Sequence, residues 1–175
     1  ASTLAHNGLV GCGRREDWVS HFMEHEISAM YPDIAHGAGL AVVVPAWMAY
    51  MAHHKPSKVA QLGRRIFGID MRDDRTAAIE TVAQLRAFFS AVLRMPLSFK
   101  ALGIESPDID TMVERLHANK GDIIGGYYKL GSSDTRQIYE LMLAPEQVAA
   151  RAASKNSAEQ PEEDIPAAVS AAGAM

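Results

Sequence analysis

The sequence predicts an all-α domain. Apolar residues recur with a period of about 3.6 residues in most segments, and helix-start and helix-stop residues separate those segments. No stretch of useful length alternates between apolar and polar residues, so strands are not expected. The predicted helical domain covers residues 1–143. From about residue 153 the chain is rich in Ala, Ser, Glu, Gln and Pro, so 144–175 should be a helix extension and a disordered tail.

Seven helices follow from these signals in chain order. They should span residues 1–10, 14–30, 36–53, 56–67, 76–94, 107–119 and 135–143. The second should hold Glu16 and Asp17 in its first turn, where acidic side chains complement the helix dipole. The third is apolar around most of its circumference and should be buried on nearly every side, with a kink at Pro45. Pro56 suits the first turn of the fourth, because no helical hydrogen bond would use its missing amide.

The two amphipathic helices that follow should bury defined apolar faces. In the helix over 76–94 the predicted inward residues are Ile79, Val82, Leu85, Phe89 and Val92. In the helix over 107–119 they are Ile109, Met112, Val113 and Leu116, with Gly121 just after its end. Ser133 and Asp134 should cap the last helix, because short polar side chains accept hydrogen bonds from the first free amides.

The charge and the apolar runs argue against two classes of partner. A net charge of -4 with scattered Lys and Arg gives no basic surface for nucleic acid. The most apolar run, residues 40–51, is shorter than the roughly 20 residues that cross a membrane. One cysteine, Cys12, and the lack of a signal-peptide pattern indicate a cytoplasmic protein. Because Ala1 begins inside a helical pattern, we expect a fragment or a processed product.

Three of the seven histidines lie in one short stretch, at His21, His25 and His36. On a helix, positions 21 and 25 are about 40° apart around the axis and about 6 Å apart along it, so both rings project from one face. His36 follows a short turn and can fold back toward that face. Imidazole is the commonest metal ligand, so these rings could bind a divalent ion, although a catalytic site usually has three protein ligands. The same spacing suits histidines that only pack or cap.

The remaining histidines have simpler interpretations. His53, His54 and His117 lie near helix ends and should cap them, and His6 could be a hydrogen-bonded core residue. No Gly-rich loop follows a strand, so the chain carries no dinucleotide or phosphate-binding motif of its own.

Four segments of the first part of the chain form one ordered set: residues 6–9, 17–21, 25–29 (His-Glu-Ile-Ser-Ala) and 33–41, which contains Ala-His-Gly-Ala-Gly-Leu-Ala. Together and in this order they resemble the helical domain of iron-containing alcohol dehydrogenases, and most of all the butanol-dehydrogenase branch. The resemblance covers residues 1–143 and leaves the tail outside. It implies a dehydroquinate-synthase-like fold of which this chain is the C-terminal helical part.

The resemblance also implies a function and a set of roles. The complete enzyme would be an NAD(P)-linked alcohol dehydrogenase or aldehyde reductase for small aliphatic substrates. In it Fe²⁺ or Zn²⁺ acts as a Lewis acid on the substrate oxygen. His21 and His36 match the metal ligands, whereas His25 matches a catalytic residue beside the nicotinamide and is not a ligand. Trp18 and Phe22 could shape the substrate pocket.

Parts of the family pattern are missing. The other two ligands, an Asp and a His, precede the matched region in the family, as does the N-terminal α/β domain that binds NAD(P)H. The chain alone should therefore bind metal weakly and should not turn over alcohol. The protein could also form a homo-oligomer.

Two other functions remain as alternatives. One is an all-α metal hydrolase built on adjacent His-Asp pairs, against which stands the lack of any His-Asp dipeptide in the sequence. The other is a non-catalytic helical module whose histidines pack or cap, and it predicts no thermal stabilisation by Fe²⁺ or Zn²⁺.

Overall fold

The computed structural model describes residues 2–144 and is helical through that region. The helices are α1 (Ser2–His6), α2 (Val19–Met30), α3 (His36–His54), α4 (Ser57–Leu62), α5 (Asp74–Ala87), α6 (Ile109–Lys120) and α7 (Ser132–Glu140). α4 and α5 each continue into a π-helical turn, at Gly63–Phe67 and Phe88–Val92. Between residues 2 and 144 there is no strand, only an isolated antiparallel bridge between Ile124 and Leu130. The all-α prediction is confirmed, while the predicted tail beyond Ala144 lies outside the described residues.

α3 is the central helix. It packs against α2, α4, α5 and α7, and α2 packs in turn against α6. Val42, Val43 and Met51 on α3 are fully buried or nearly so, which agrees with the prediction of burial on most sides. Tyr139 on α7 is also buried, and its hydroxyl donates to the Met23 carbonyl of α2 at 2.8 Å. Within the described region no helix is both long and apolar enough to cross a membrane.

The predicted start of α2 at residue 14 was wrong, because the helix begins at Val19. Asp17 lies before the helix and not in its first turn. One of its carboxylate oxygens accepts from the Val19 amide at 2.9 Å, and the other accepts from the amides of Gly126 and Tyr127 at 3.0 and 2.7 Å. The Asp17 carboxylate therefore caps the start of the helix at Val19 and connects that start to the loop that contains Gly126 and Tyr127.

The predicted inward face of the helix over 76–94 was also wrong in part. Ile79 and Val92 are 47% and 64% exposed. The residues that α5 buries are Ala77, Ala78, Thr81 and Val82. Small side chains are needed there because α4 and α5 approach closely: a Cβ at Gly63 would lie 1.9 Å from the Thr81 hydroxyl oxygen. The close approach of the two backbones, and not the apolar pattern, therefore determines which face of α5 is buried.

The later helices agree better with the sequence. The four predicted inward residues of α6, namely Ile109, Met112, Val113 and Leu116, are all buried. α7 begins three residues earlier than predicted, at Ser132, so Asp134 is the third residue of the helix and caps it from there, while Gly131 is the N-cap residue. The Asp134 carboxylate lies in the first turn and accepts from the Gly131 amide at 2.7 Å.

Candidate metal centre

α2 and the start of α3 bring three imidazoles together. α2 presents His21 and His25 one turn apart, and the short turn over 31–35 returns the chain so that His36 faces them. The ring centroids of His21 and His36 are 5.5 Å apart, those of His25 and His36 5.6 Å, and those of His21 and His25 6.3 Å. Metal–nitrogen bonds are about 2.1 Å long, so one ion could contact two of these rings.

A fully buried carboxylate, Glu24, lies under this group. Its Oε1 accepts from the Ser28 hydroxyl at 2.6 Å, and its Oε2 is hydrogen-bonded to His36 Nδ1. Glu24 was not predicted from the sequence, since an acid on a helix usually faces solvent. One signal was available: Gly39 leaves room that a side chain would fill, because a Cβ there would lie 2.5 Å from Glu24 Oε1.

The ligand atoms form two possible sets. In the described part of the chain, atoms of Glu24, His25 and His36 lie within 4.8 Å of one another, a group that could bind a metal ion. His21 is not in that group, although its ring is as close to His36 as that of His25. Geometry therefore favours His25 with His36, whereas the family resemblance favours His21 with His36. His36 belongs to both sets.

The donor chemistry fits a divalent transition metal. His21 is half-buried, while His25 and His36 are exposed. Burial lowers the pKa of His21, and the neighbouring His36 and His25 rings lower it further, against a smaller opposing effect of Glu24. A neutral imidazole is the form that binds metal, and imidazole suits iron and zinc alike.

A cleft of about 620 Å³ lies beside His21. Trp18 lines it, with its ring 5.1 Å from the His21 ring and 5.7 Å from the His6 ring. His6 is exposed and lines the same cleft, so the expectation of a core histidine was wrong. Phe22 does not line this cleft: it packs against the core, with the Lys120 ammonium 4.5 Å from its ring centroid.

The other histidines have separate partners. His54 Nδ1 donates to the Tyr50 carbonyl at 2.9 Å, a bond within the last turn of α3. His53 Nδ1 accepts from the Arg75 guanidinium at 2.8 Å. His117 Nδ1 donates to the Gly121 carbonyl at 3.0 Å, just past the end of α6. None of the three belongs to the imidazole group described above.

Known proteins resemble the chain over the helical region. The profile of the C-terminal region of the Fe-containing alcohol dehydrogenase family matches residues 1–143. NADH-dependent butanol dehydrogenase B of Clostridium acetobutylicum is 35% identical over 142 residues, which are 80% of this chain and 36% of that protein. NADPH-dependent aldehyde reductase YqhD of Escherichia coli is 29% identical over 140 residues, which cover the same shares.

A solved structure agrees with these matches. The crystal structure of NADH-dependent butanol dehydrogenase A from Thermotoga maritima superimposes with a TM-score of 0.72 at 34% identity, covering 81% of this chain and 37% of that one. The chain thus spans little more than a third of the length of these relatives. The match over residues 1–143 shows that the chain belongs to the Fe-containing alcohol dehydrogenase family, whose C-terminal region it represents.

Proposed function

We propose that residues 1–143 form the metal-binding helical part of an NAD(P)-linked alcohol dehydrogenase or aldehyde reductase for small aliphatic substrates. His21 and His36 are its metal ligands. The observation that carries this proposal is that these two rings lie 5.5 Å apart in a chain that matches the family over residues 1–143, because the family resemblance gives the ligand positions to His21 and His36. The chain's relatives are NADH- and NADPH-dependent enzymes by name. A cytoplasmic location and a homo-oligomer stay predictions.

The roles divide among the residues of the imidazole group. His21 and His36 hold Fe²⁺ or Zn²⁺, and the remaining ligands come from the part of the family fold that this chain does not span. When bound, the ion supplies Lewis-acid polarisation of the substrate oxygen. His25 is exposed beside His36, where it can exchange a proton with the substrate hydroxyl and contact the nicotinamide.

The rest of the enzyme supplies the cofactor. NAD(P)H would bind mainly to an N-terminal α/β domain, and His25, on the exposed side of the imidazole group, would contact its nicotinamide. The cleft beside His21 is lined by Trp18, whose apolar surface suits the carbon chain of an alcohol or aldehyde. We expect this chain alone to bind metal weakly and to lack turnover.

Calorimetric titration of the metal-free chain with Zn²⁺ tests the ligand assignment. His21→Ala and His36→Ala should each weaken binding by at least about tenfold, while His25→Ala should leave the affinity nearly unchanged. His54→Ala is the matched control, because it removes an imidazole from the opposite end of α3.

Two results would count against the proposal. Loss of binding in His25→Ala together with normal binding in His21→Ala would assign the metal to the Glu24, His25 and His36 set. Zinc binding that is equally weak in the unmodified chain and in the His36→Ala variant would favour the non-catalytic helical module.

A further inference from the structure

We infer that Glu24 is a positioning residue: its buried carboxylate decides which nitrogen of His36 carries the proton and turns Nε2 of that ring toward the metal. The inference rests on the proposed function for the identity of the ligand. It concerns a side chain to which neither the histidine spacing nor the family resemblance gave a role.

The burial of Glu24 requires partners for both carboxylate oxygens. The residue has no exposed surface, and a carboxylate without partners in such a place would be strongly unfavourable because the charge loses its hydration. Ser28, one helical turn along α2, donates its hydroxyl to Oε1 at 2.6 Å. His36 satisfies Oε2 through Nδ1. Both acceptor oxygens are therefore occupied by groups of this chain.

The bond to His36 selects a tautomer. An ionised carboxylate can only accept hydrogen bonds, so Nδ1 of His36 must carry the proton that it donates. In a neutral ring the other nitrogen, Nε2, then keeps its lone pair for a metal ion. The His36 side chain is 48% exposed, so the ring edge that points away from Glu24 is open. A carboxylate behind a ligating imidazole also fixes the orientation of the ring.

The local sequence makes room for this carboxylate. Gly39 lies one turn after His36 on α3, and a Cβ there would lie 2.5 Å from Glu24 Oε1 and 2.9 Å from its Cγ. Gly37, in the same first turn, has nothing within 4 Å of its would-be Cβ. The space at residue 39 is therefore specific to the side chain of Glu24.

Glu24 is also close enough to His25 and His36 to be considered a ligand itself. Two observations favour a role behind the ligand instead. Both carboxylate oxygens already accept hydrogen bonds, and the group is buried beneath the rings, whereas His25 and His36 are exposed.

The tautomer can be measured without metal. Long-range ¹⁵N–¹H correlation spectra of the metal-free, ¹⁵N-histidine-labelled chain distinguish protonation at Nδ1 from protonation at Nε2. We expect Nδ1–H at His36 in the unmodified chain and loss of that preference in Glu24→Ala. Glu24→Gln should rescue the tautomer, because the amide oxygen can still accept from Nδ1.

Zinc titrations of the same variants give the second readout. Glu24→Ala should weaken Zn²⁺ binding by about 10–100-fold, and Glu24→Gln should lie between that variant and the unmodified chain because it keeps the hydrogen bond but loses the charge. Glu26→Gln is the matched control. Glu26 is a second buried glutamate on α2, but it accepts from Arg115 at 3.0 Å and Asn119 at 3.3 Å on α6. Its variant should lose stability without changing the tautomer or the zinc affinity.

The two readouts separate this inference from the proposed function. An Nε2–H tautomer in the unmodified chain, or a tautomer unchanged in Glu24→Ala, would overturn the inference even if zinc binds at His21 and His36. Zinc affinity unchanged in both Glu24 variants would overturn it as well. Absence of zinc binding in the unmodified chain would defeat the proposed function, and the tautomer spectra alone would then decide whether Glu24 fixes His36.

Discussion

The two ends of α3 both carry histidine, yet their surroundings differ. At the start, His36 is half-exposed, lies within 5.6 Å of two other imidazoles and bonds a buried carboxylate through one nitrogen. At the end, His54 donates to the Tyr50 carbonyl and stacks on the Tyr50 ring at a centroid distance of 3.9 Å. The first arrangement leaves a nitrogen open beside other ligands, whereas the second uses the ring for packing and capping.

The acidic residues near the two ends of α3 differ in the same way. Behind His36, Glu24 holds the ring of a neighbouring helix with its open edge toward solvent. Near the other end, Asp134 accepts from the Tyr50 hydroxyl at 2.6 Å and from the Gly131 amide, which closes a network between α3 and α7. A histidine thus indicates a metal site when several rings converge and an acid orients one of them, and its presence at a helix end is not sufficient.

The largest expected effect tests how closely the Glu24 side chain packs against Gly39 near the start of α3. Gly39→Ala should destabilise the fold by about 1–3 kcal/mol, because the new methyl group overlaps the Glu24 side chain. Gly37→Ala, in open space on the same turn, should instead stabilise it by about 0.5–1 kcal/mol through helix propensity. Urea unfolding of the three proteins measures both changes. A Gly39→Ala variant as stable as Gly37→Ala would contradict the packing of Glu24 against α3.

The next effect concerns the opposite end of α3. Tyr50→Phe should cost about 1.5 kcal/mol near neutral pH, since it removes a hydrogen bond to a carboxylate from a buried site. Tyr128→Phe is a suitable control, because in the described structure the Tyr128 hydroxyl makes no hydrogen bond. Equal losses in the two variants, measured by thermal or urea unfolding, would show that the bond to Asp134 contributes little.

The same tyrosine predicts a dependence on alkaline pH. Burial raises the pKa of Tyr50, and its bond to Asp134 raises it further. In the unfolded chain a tyrosine loses its proton at about pH 10, while the folded protein keeps it, so the unfolded state then binds fewer protons and stability falls as pH rises. Tyr50→Phe should lose less stability between about pH 8 and pH 11.

Tyr139 limits how much of the alkaline loss of stability the Tyr50→Phe substitution can remove. Burial raises the pKa of Tyr139 well above its ordinary value, so part of the alkaline loss remains in Tyr50→Phe. Parallel stability curves for the unmodified chain and Tyr50→Phe would rule out a contribution from Tyr50.

The smallest effect should come from His54. His54→Ala removes one stacked ring and one carbonyl contact at the end of α3, which should cost about 0.5–1 kcal/mol. Its zinc affinity should equal that of the unmodified chain. A loss of zinc binding similar to that in His36→Ala would remove the distinction between the two ends of the helix.

Local signals predicted the parts of the fold that local interactions determine. The apolar run with histidine at both ends predicted α3 within one residue, and the 3.6-residue pattern predicted the buried face of α6. The face of α5 was mispredicted because Thr81 packs against the backbone of Gly63, a contact between helices that no periodicity within one helix reveals.

The residues of the candidate site also differ in whether local signals could predict them. The helical spacing of His21 and His25 and the turn before His36 predicted that the rings meet, because these features are local. Glu24 could not be found this way. Its partner is twelve residues away on another helix, and its burial depends on Gly39, so only the packed structure identifies it.

The location of the bound ion tests the account most directly. Anomalous diffraction at the zinc absorption edge, from crystals of the chain soaked in Zn²⁺, should give a peak about 2.1 Å from Nε2 of both His21 and His36, with Glu24 still bonded to Nδ1 of His36. A peak coordinated by the Glu24 carboxylate and His25, or no peak at the imidazole group, would contradict it.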